Sequence, residues 1–170
     1  ALLWLARPDE TKEITNRGLQ AIGADRSVRR GRLLALLGLA TAYTNDPAGG
    51  LVMLDDSVRL GRELEDEALL GDVLGWKAFA LHNHARFEAA IELGQDGAVE
   101  VLRRVNDGWS LVQLLSHMEM EYLLSGRVPE ALALSQEVRE LADKLGHVGA
   151  AVLDDFATGS AQYFLPGDLR

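Results

Sequence analysis

The sequence predicts an all-α chain of stacked antiparallel helical hairpins, and three observations carry the prediction. The segment Tyr122-Leu123-Leu124-Ser125-Gly126-Arg127 returns 41 residues later as Tyr163-Phe164-Leu165-Pro166-Gly167-Asp168, and a fixed period of this length marks repeated helical units. Between the repeated turns the apolar residues fall at helical spacing. Leu132, Leu134, Val138, Leu141, Ala142 and Leu145 share one broad stripe, with Glu130, Glu137, Glu140, Asp143 and Lys144 elsewhere. No stretch sustains strand alternation, and proline is confined to the turns.

The elements follow in order. The first helix, 9–22, opens behind Arg7-Pro8-Asp9, where proline presets a helical start. The second, 27–44, follows Asp25, the first of three aspartates (Asp25, Asp66, Asp107) spaced by 41 residues whose carboxylates suit N-capping. It ends at a turn column of Ala6, Asn45, Ala85, Gly126 and Gly167. Asp46-Pro47 starts helix 48–65, and Asp66 starts helix 67–84. Arg86-Phe87-Glu88 leads into helix 87–105, with Val99, Val101, Leu102 and Val105 inward and Arg103 and Arg104 outward. Asp107 opens helix 109–125, and Gly126 with Arg127-Val128-Pro129 turns the chain into helix 128–145. The last helix, 148–164, has His147 in the capping column, between Gly146 and Gly149, so a looser turn is expected there. Two further columns hold small residues where backbones cross: Gly38, Ala78 and Ser160, then Thr11, Gly50, Ala90 and Ala131. Glu119 interrupts the first of them.

Hairpins 27–65, 67–105 and 109–145, flanked by partial repeats 1–22 and 148–170, make one domain over 1–170. Each hairpin leaves an apolar face for its neighbour. Uncovered ends are therefore expected at Leu2, Leu3, Trp4 and Leu5, and at Phe156, Tyr163, Phe164 and Leu165. The apolar start at Ala1 reads as the end of a helix begun earlier, so the chain is expected to be a window of a longer array.

Composition narrows the function. At 48% hydrophobic the chain can bury a substantial core. The absence of cysteine excludes disulfides and thiolate zinc sites and makes a cytoplasmic location the expectation. No apolar run approaches the ~18 residues of a membrane span. Residues 1–65 carry nine basic and nine acidic residues, so the net charge of −9 resides in 66–170. Such a surface repels phosphate backbones, which argues against nucleic acid; the cluster Arg26, Arg29, Arg30 and Arg32 reads as a solvated face.

The candidate chemistry is sparse. His82 and His84 diverge by ~200° on a helix and cannot chelate together, and His117 and His147 add no evident carboxylate pattern, so no metal or cofactor is expected. Asp55-Asp56 and Asp154-Asp155 read as solvated helix faces rather than a catalytic dyad. With no serine in a nucleophile elbow either, no catalytic residue is expected. Trp76 and Trp109 read as core or inter-repeat packing, with ligand stacking the alternative. Glu119 is either salt-bridged, to Arg86 or Arg127, or a functional groove residue, because burying it unpaired would be costly.

By its columns the chain resembles the tetratricopeptide repeats, in a long form of about forty residues. The small residue of the first helix is Gly38, Ala78 or Ser160; the aromatic is Tyr122 or Tyr163; the turn glycine is Gly126 or Gly167; the small residue of the second helix is Gly50, Ala90 or Ala131. Gly126-Arg-Val-Pro-Glu-Ala-Leu132 and Leu141-Ala-Asp-Lys-Leu-Gly146 look like arrays in large bacterial regulators, among them maltose-regulator-type activators, signalling ATPases and cyclases. The resemblance implies a right-handed superhelix whose first helices line a concave groove. Carried over by column, the groove residues are Arg32, Leu39 and Tyr43; Asp72, Phe79, His82 and Asn83; and Gln113, Ser116, Met120 and Leu123. Asn83 stands alone where chaperone-binding relatives use several Lys and Asn. The expected role is a non-catalytic module binding a protein or peptide, with inducer sensing or self-association through the apolar ends as alternatives.

Overall fold

The computed structural model describes residues 7–44 and 46–164, with side chains up to Tyr163. Ala6, Asn45 and Gly167 of the turn column, the apolar residues Leu2, Leu3, Trp4 and Leu5, Leu165, and the Phe164 side chain lie outside the described part. Among the described residues the chain is helical throughout and has no strand. The helices are α1 (Pro8–Ile22), α2 (Val28–Ala42), α3 (Pro47–Glu63), α4 (Glu67–Asn83), α5 (Phe87–Leu93), α6 (Val99–Arg104), α7 (Gly108–Leu124), α8 (Val128–Leu145) and α9 (Val148–Phe164), with a π turn at Gly94–Ala98 joining α5 to α6.

The helix starts follow the expected chemistry with one exception. The carboxylates of Asp46, Asp66 and Asp107 accept the backbone N–H of Gly49 (2.8 Å), Leu69 (2.7 Å) and Ser110 (3.0 Å). His147 fills the same role with its ring, Nδ1 accepting the Ala150 N–H at 3.0 Å. Asp25 does not cap: α2 begins at Val28, and Ser27, immediately before it, accepts from the Arg30 N–H.

One device closes five successive turns. The N–H groups of Asp66, Arg86, Asp107, Arg127 and His147 donate to the carbonyls of Gly61, Leu81, Leu102, Tyr122 and Ala142, the six-to-one bond of a Schellman motif. Such a bond requires a left-handed residue just before it. Gly126 and Gly146 supply this freely, whereas Glu65, Ala85 and Asn106 adopt φ of 52°, 55° and 56° despite their side chains.

Packing follows chain order. α2, α4, α7 and α9 form a row in which each touches the next; α3, the α5–α6 unit and α8 fill the spaces between them, and α1 packs on α2. Glycine matters most where α2 crosses α3. A Cβ on Gly50 would sit 2.5 Å from the Ala42 nitrogen and 2.6 Å from the Gly38 carbonyl oxygen, so the two backbones are in contact. Ala78 and Ala90 are buried equivalents in the next hairpin. Of the stripe on α8, Val138 and Ala142 enter the core and Leu134 and Leu141 pack against it, while Leu132 and Leu145 stay exposed.

The expected helix 87–105 is interrupted. At the π turn Gly97 has φ 133° and ψ −7°, a backbone open only to glycine. The widened turn accommodates α7: a Cβ on Gly94 would lie 2.4 Å from Met118 Sδ, and Gln95 Nε2 donates to the Tyr122 hydroxyl at 2.7 Å.

The left-handed turns give a test. Ala85→Gly relieves a steric cost of ~1–2 kcal/mol, less the added entropy of the unfolded glycine, and is expected to stabilise by about 0.5 kcal/mol in urea denaturation. Gly126→Ala is expected to destabilise by about 1 kcal/mol.

Candidate functional site

α7 presents little of itself to solvent. It packs on α4, α5, α6, α8 and α9, and from Leu111 to Leu123 only Gln113 is more than marginally exposed. Its first three turns nevertheless reach an open concavity through Trp109, Gln113, Ser116 and His117. Phe79 of α4 forms one edge, and the start of α9 forms the opposite wall with His147, Gly149, Ala150, Val152 and Leu153. The resulting trough has a volume of about 650 Å³, and no residue carrying a permanent charge lines it. A narrower cleft between α4 and α7 adjoins it through Phe79, Gln113 and His117.

The aromatic groups of this face are fixed by their neighbours. The His147 ring, held at the α9 cap, lies 4.2 Å from the Trp109 ring centroid, although Trp109 remains 54% exposed. Phe79 touches Tyr43 at 5.7 Å and meets His117 edge-on at 4.8 Å; His117 meets His82 edge-on at 4.9 Å. Asn83 bonds the Tyr43 hydroxyl, yet burial outweighs that bond and pushes the phenol up to about 12. It stays neutral.

His117 donates from Nδ1 to the Gln113 carbonyl at 2.7 Å. Burial pushes its pKa down to about 4 against that bond, so at neutral pH the imidazole is uncharged and Nε2 carries a lone pair. Glu121, fully buried, has its carboxyl raised by burial, with His82 opposing through Nδ1 at 3.3 Å. His82 therefore has a carboxylate neighbour that its surroundings in the sequence did not reveal. His84 instead contacts the Ala42 carbonyl at 2.7 Å. Among the described residues no group of three or more His, Asp or Glu is arranged to hold a metal ion.

The predicted groove residues divide. Phe79, Gln113 and Ser116 line the trough, although Ser116 is buried and its hydroxyl is donated to the Gln113 carbonyl. Tyr43, His82 and Asn83 stand in the adjoining aromatic and polar cluster. Arg32 and Asp72 pair with each other across α2 and α4 at 3.6 Å. Leu39, Met120 and Leu123 are core residues, because α2 and α7 are enclosed at those positions.

Three further expectations are corrected. Trp109 is not core but half exposed, since it sits in the first turn of α7 before the enclosure begins, and its packing between hairpins is on the His147 ring; Trp76 does pack against the core. Asp154 is not on a solvated face: it is 1% exposed, while its neighbour Asp155 is exposed. Glu119 bridges neither Arg86 nor Arg127. Arg127 pairs with Glu88 and Glu130, and Glu119 turns toward Asp154 of α9.

His117, His147, Gly149, Ala150, Val152 and Leu153 were missed as groove residues. The signal for His147 lay in its occupying the aspartate capping column; His117 lies one turn beyond Gln113 on the same helix, and the others become neighbours only once α9 docks. A comparison with known protein families and curated proteins finds no match to this chain. What fold and site define is an all-helical protein with an open, uncharged aromatic trough.

His117 generates a pH prediction. The unfolded imidazole takes a proton below about 6.5 and the folded one only near 4, so the folded state loses stability as pH falls through that window. The loss approaches roughly 3 kcal/mol at full effect. Melting temperatures between pH 7 and 4 are expected to fall less in His117→Gln than in the wild type, and the His117 ring resonances to titrate near pH 4.

Proposed function

We propose that the protein is a non-catalytic binding module of the tetratricopeptide type, a right-handed superhelical stack whose first helices α2, α4, α7 and α9 carry the ligand. The trough between α4, α7 and α9 supports this reading more than any other observation. It is open, it lacks permanent charge, and it offers the exposed Trp109 face beside Val152 and Leu153. Such a surface suits an amphipathic helix or extended peptide that inserts one or two bulky apolar side chains. Further support comes from the chain-order packing and the uniform turn motif. In this reading the chain works in the cytoplasm as part of a bacterial signalling or transcription regulator, whose catalytic or DNA-binding activity resides elsewhere.

A second reading is favoured by the volume. About 650 Å³ lies within the ~300–1,000 Å³ typical of small-molecule sites, so an apolar inducer is the alternative occupant. Among the described residues no helix is long and apolar enough to cross a membrane.

Selection of displayed peptides against the protein, followed by titration, separates the readings. Peptides with bulky apolar anchors are expected to emerge and to lose at least tenfold in affinity for Trp109→Ala and for Val152→Asp. Both positions are exposed, so the fold should survive the change. Equal affinity for both variants would remove the trough from the binding surface. A small molecule that raises the melting temperature of the wild type but not of Trp109→Ala would favour the inducer.

A further inference from the structure

Glu119, Arg139 and Asp154 come from α7, α8 and α9 and meet where α9 docks. Glu119 is 0% exposed and Asp154 1%. Asp154 takes the available donors: Ser135 Oγ donates to its Oδ1 at 2.5 Å, and Arg139 pairs with its Oδ2 while also reaching Asp155 on the outside. Neither Glu119 oxygen receives a donor from an amide, hydroxyl or cation. Its neighbour is the Asp154 carboxyl itself. Two ionised carboxylates are acceptors only, so they bond to each other only with a proton between them. One arginine balances one of the two charges, and it is already shared with Asp155. A second negative charge in this buried junction would cost more than retaining a proton.

We propose that a proton held between Glu119 and Asp154 latches α9 onto α7 and α8, and that its loss in alkaline conditions undocks α9 and opens the wall that α9 gives to the trough. Ala150, Val152 and Leu153 of that wall immediately precede Asp154. The latch stands whether or not the trough takes the partner proposed above.

The charged surroundings agree with the assignment. Burial first, and then Asp154, push Glu119 up to about 8, with Arg139 opposing. From α4, His82 faces Glu121 rather than Glu119, Asp72 pairs with Arg32, and Lys77 with Asp55. Glu92 of α5 and Asp96 of the π turn are exposed, and Arg103 and Arg104 of α6 pair with Glu137 and Glu67. At the start of α9, His147 is turned to the Ala150 N–H that it caps.

The sign follows from linkage. Docked α9 keeps a proton that undocking releases once pH exceeds the ordinary glutamate value of 4.5. Docking is strongest below that value. It weakens by up to about tenfold per pH unit as pH rises toward 8, and then levels off.

Hydrogen exchange of the intact protein, corrected for intrinsic rates between pH 5 and 9, tests this. In the wild type the protection of α9 amides is expected to fall by about a hundredfold or more from pH 5 to 8, while that of α2 amides does not. In Glu119→Gln the α9 protection should stay within about threefold, and in Asp155→Asn it should fall as in the wild type. A flat wild-type profile, or the same slope in Glu119→Gln, would overturn the latch. Should Glu119→Gln not fold, the carboxyl ¹³C resonance of Glu119 in the wild type decides. A midpoint near 8 that tracks the loss of α9 protection supports the proposal, and a midpoint in the ordinary carboxylate range sinks it.

Discussion

α7 touches α4, α5, α6, α8 and α9, and from Ser116 to Leu123 every residue on it is buried. Apolar residues on every side of the helix explain why: Leu111, Val112, Leu114, Leu115, Met118, Met120, Tyr122 and Leu123 are all buried. A helix apolar around its whole circumference can satisfy itself only in the interior. The row α2–α4–α7–α9, the widened turn opposite Met118 and the placing of the trough at the exposed first turns all follow from that enclosure.

The enclosure also forces the polar residues of α7 into special states. His117 gives up its charge and spends one ring nitrogen on its own helix. Glu121 relies on His82 of the preceding row member. Glu119 has another acid, Asp154, as its bonding neighbour, with Arg139 acting on it only as a nearby charge. The two glutamates couple α7 to different neighbours, so the electrostatics of the interior report on the docking of α4 and α9. The surface differs: pairs such as Arg103–Glu137 and Arg104–Glu67 are half exposed and add little to stability.

Helix positions were legible in the sequence because caps and turns are local. Asp66 and Asp107 cap within their own first turn, and Gly126 closes its own hairpin. Asp25 misled because a better-placed Ser27 lay two residues on. The site was legible only in part. Column transfer found Phe79, Gln113 and Ser116, whose positions depend on α4 and α7 alone. It could not say that Met120 and Leu123 would be covered, or that α9 would bring Val152 and Leu153 opposite Trp109. Those facts depend on how far each helix is wrapped, and no period encodes that. Glu119 was recognisable as an anomaly; its partner was not, because the Asp154 that looked solvated faces inward.

The π turn at Gly94–Ala98 has a consequence for how the repeats keep time. Counted between the capping residues Ser27, Asp66, Asp107 and His147, the three hairpins are 39, 41 and 40 residues long, and the longest contains the π turn. A turn of this kind holds one residue more than an α turn. The surplus is absorbed as a local bulge, and the capping and turn residues at both ends of the hairpin stay in step with those of its neighbours. Repeat length is thus a tolerance rather than a constant: a single-residue insertion can be taken up inside a helix, where two glycines and the sulfur of Met118 already mark the place.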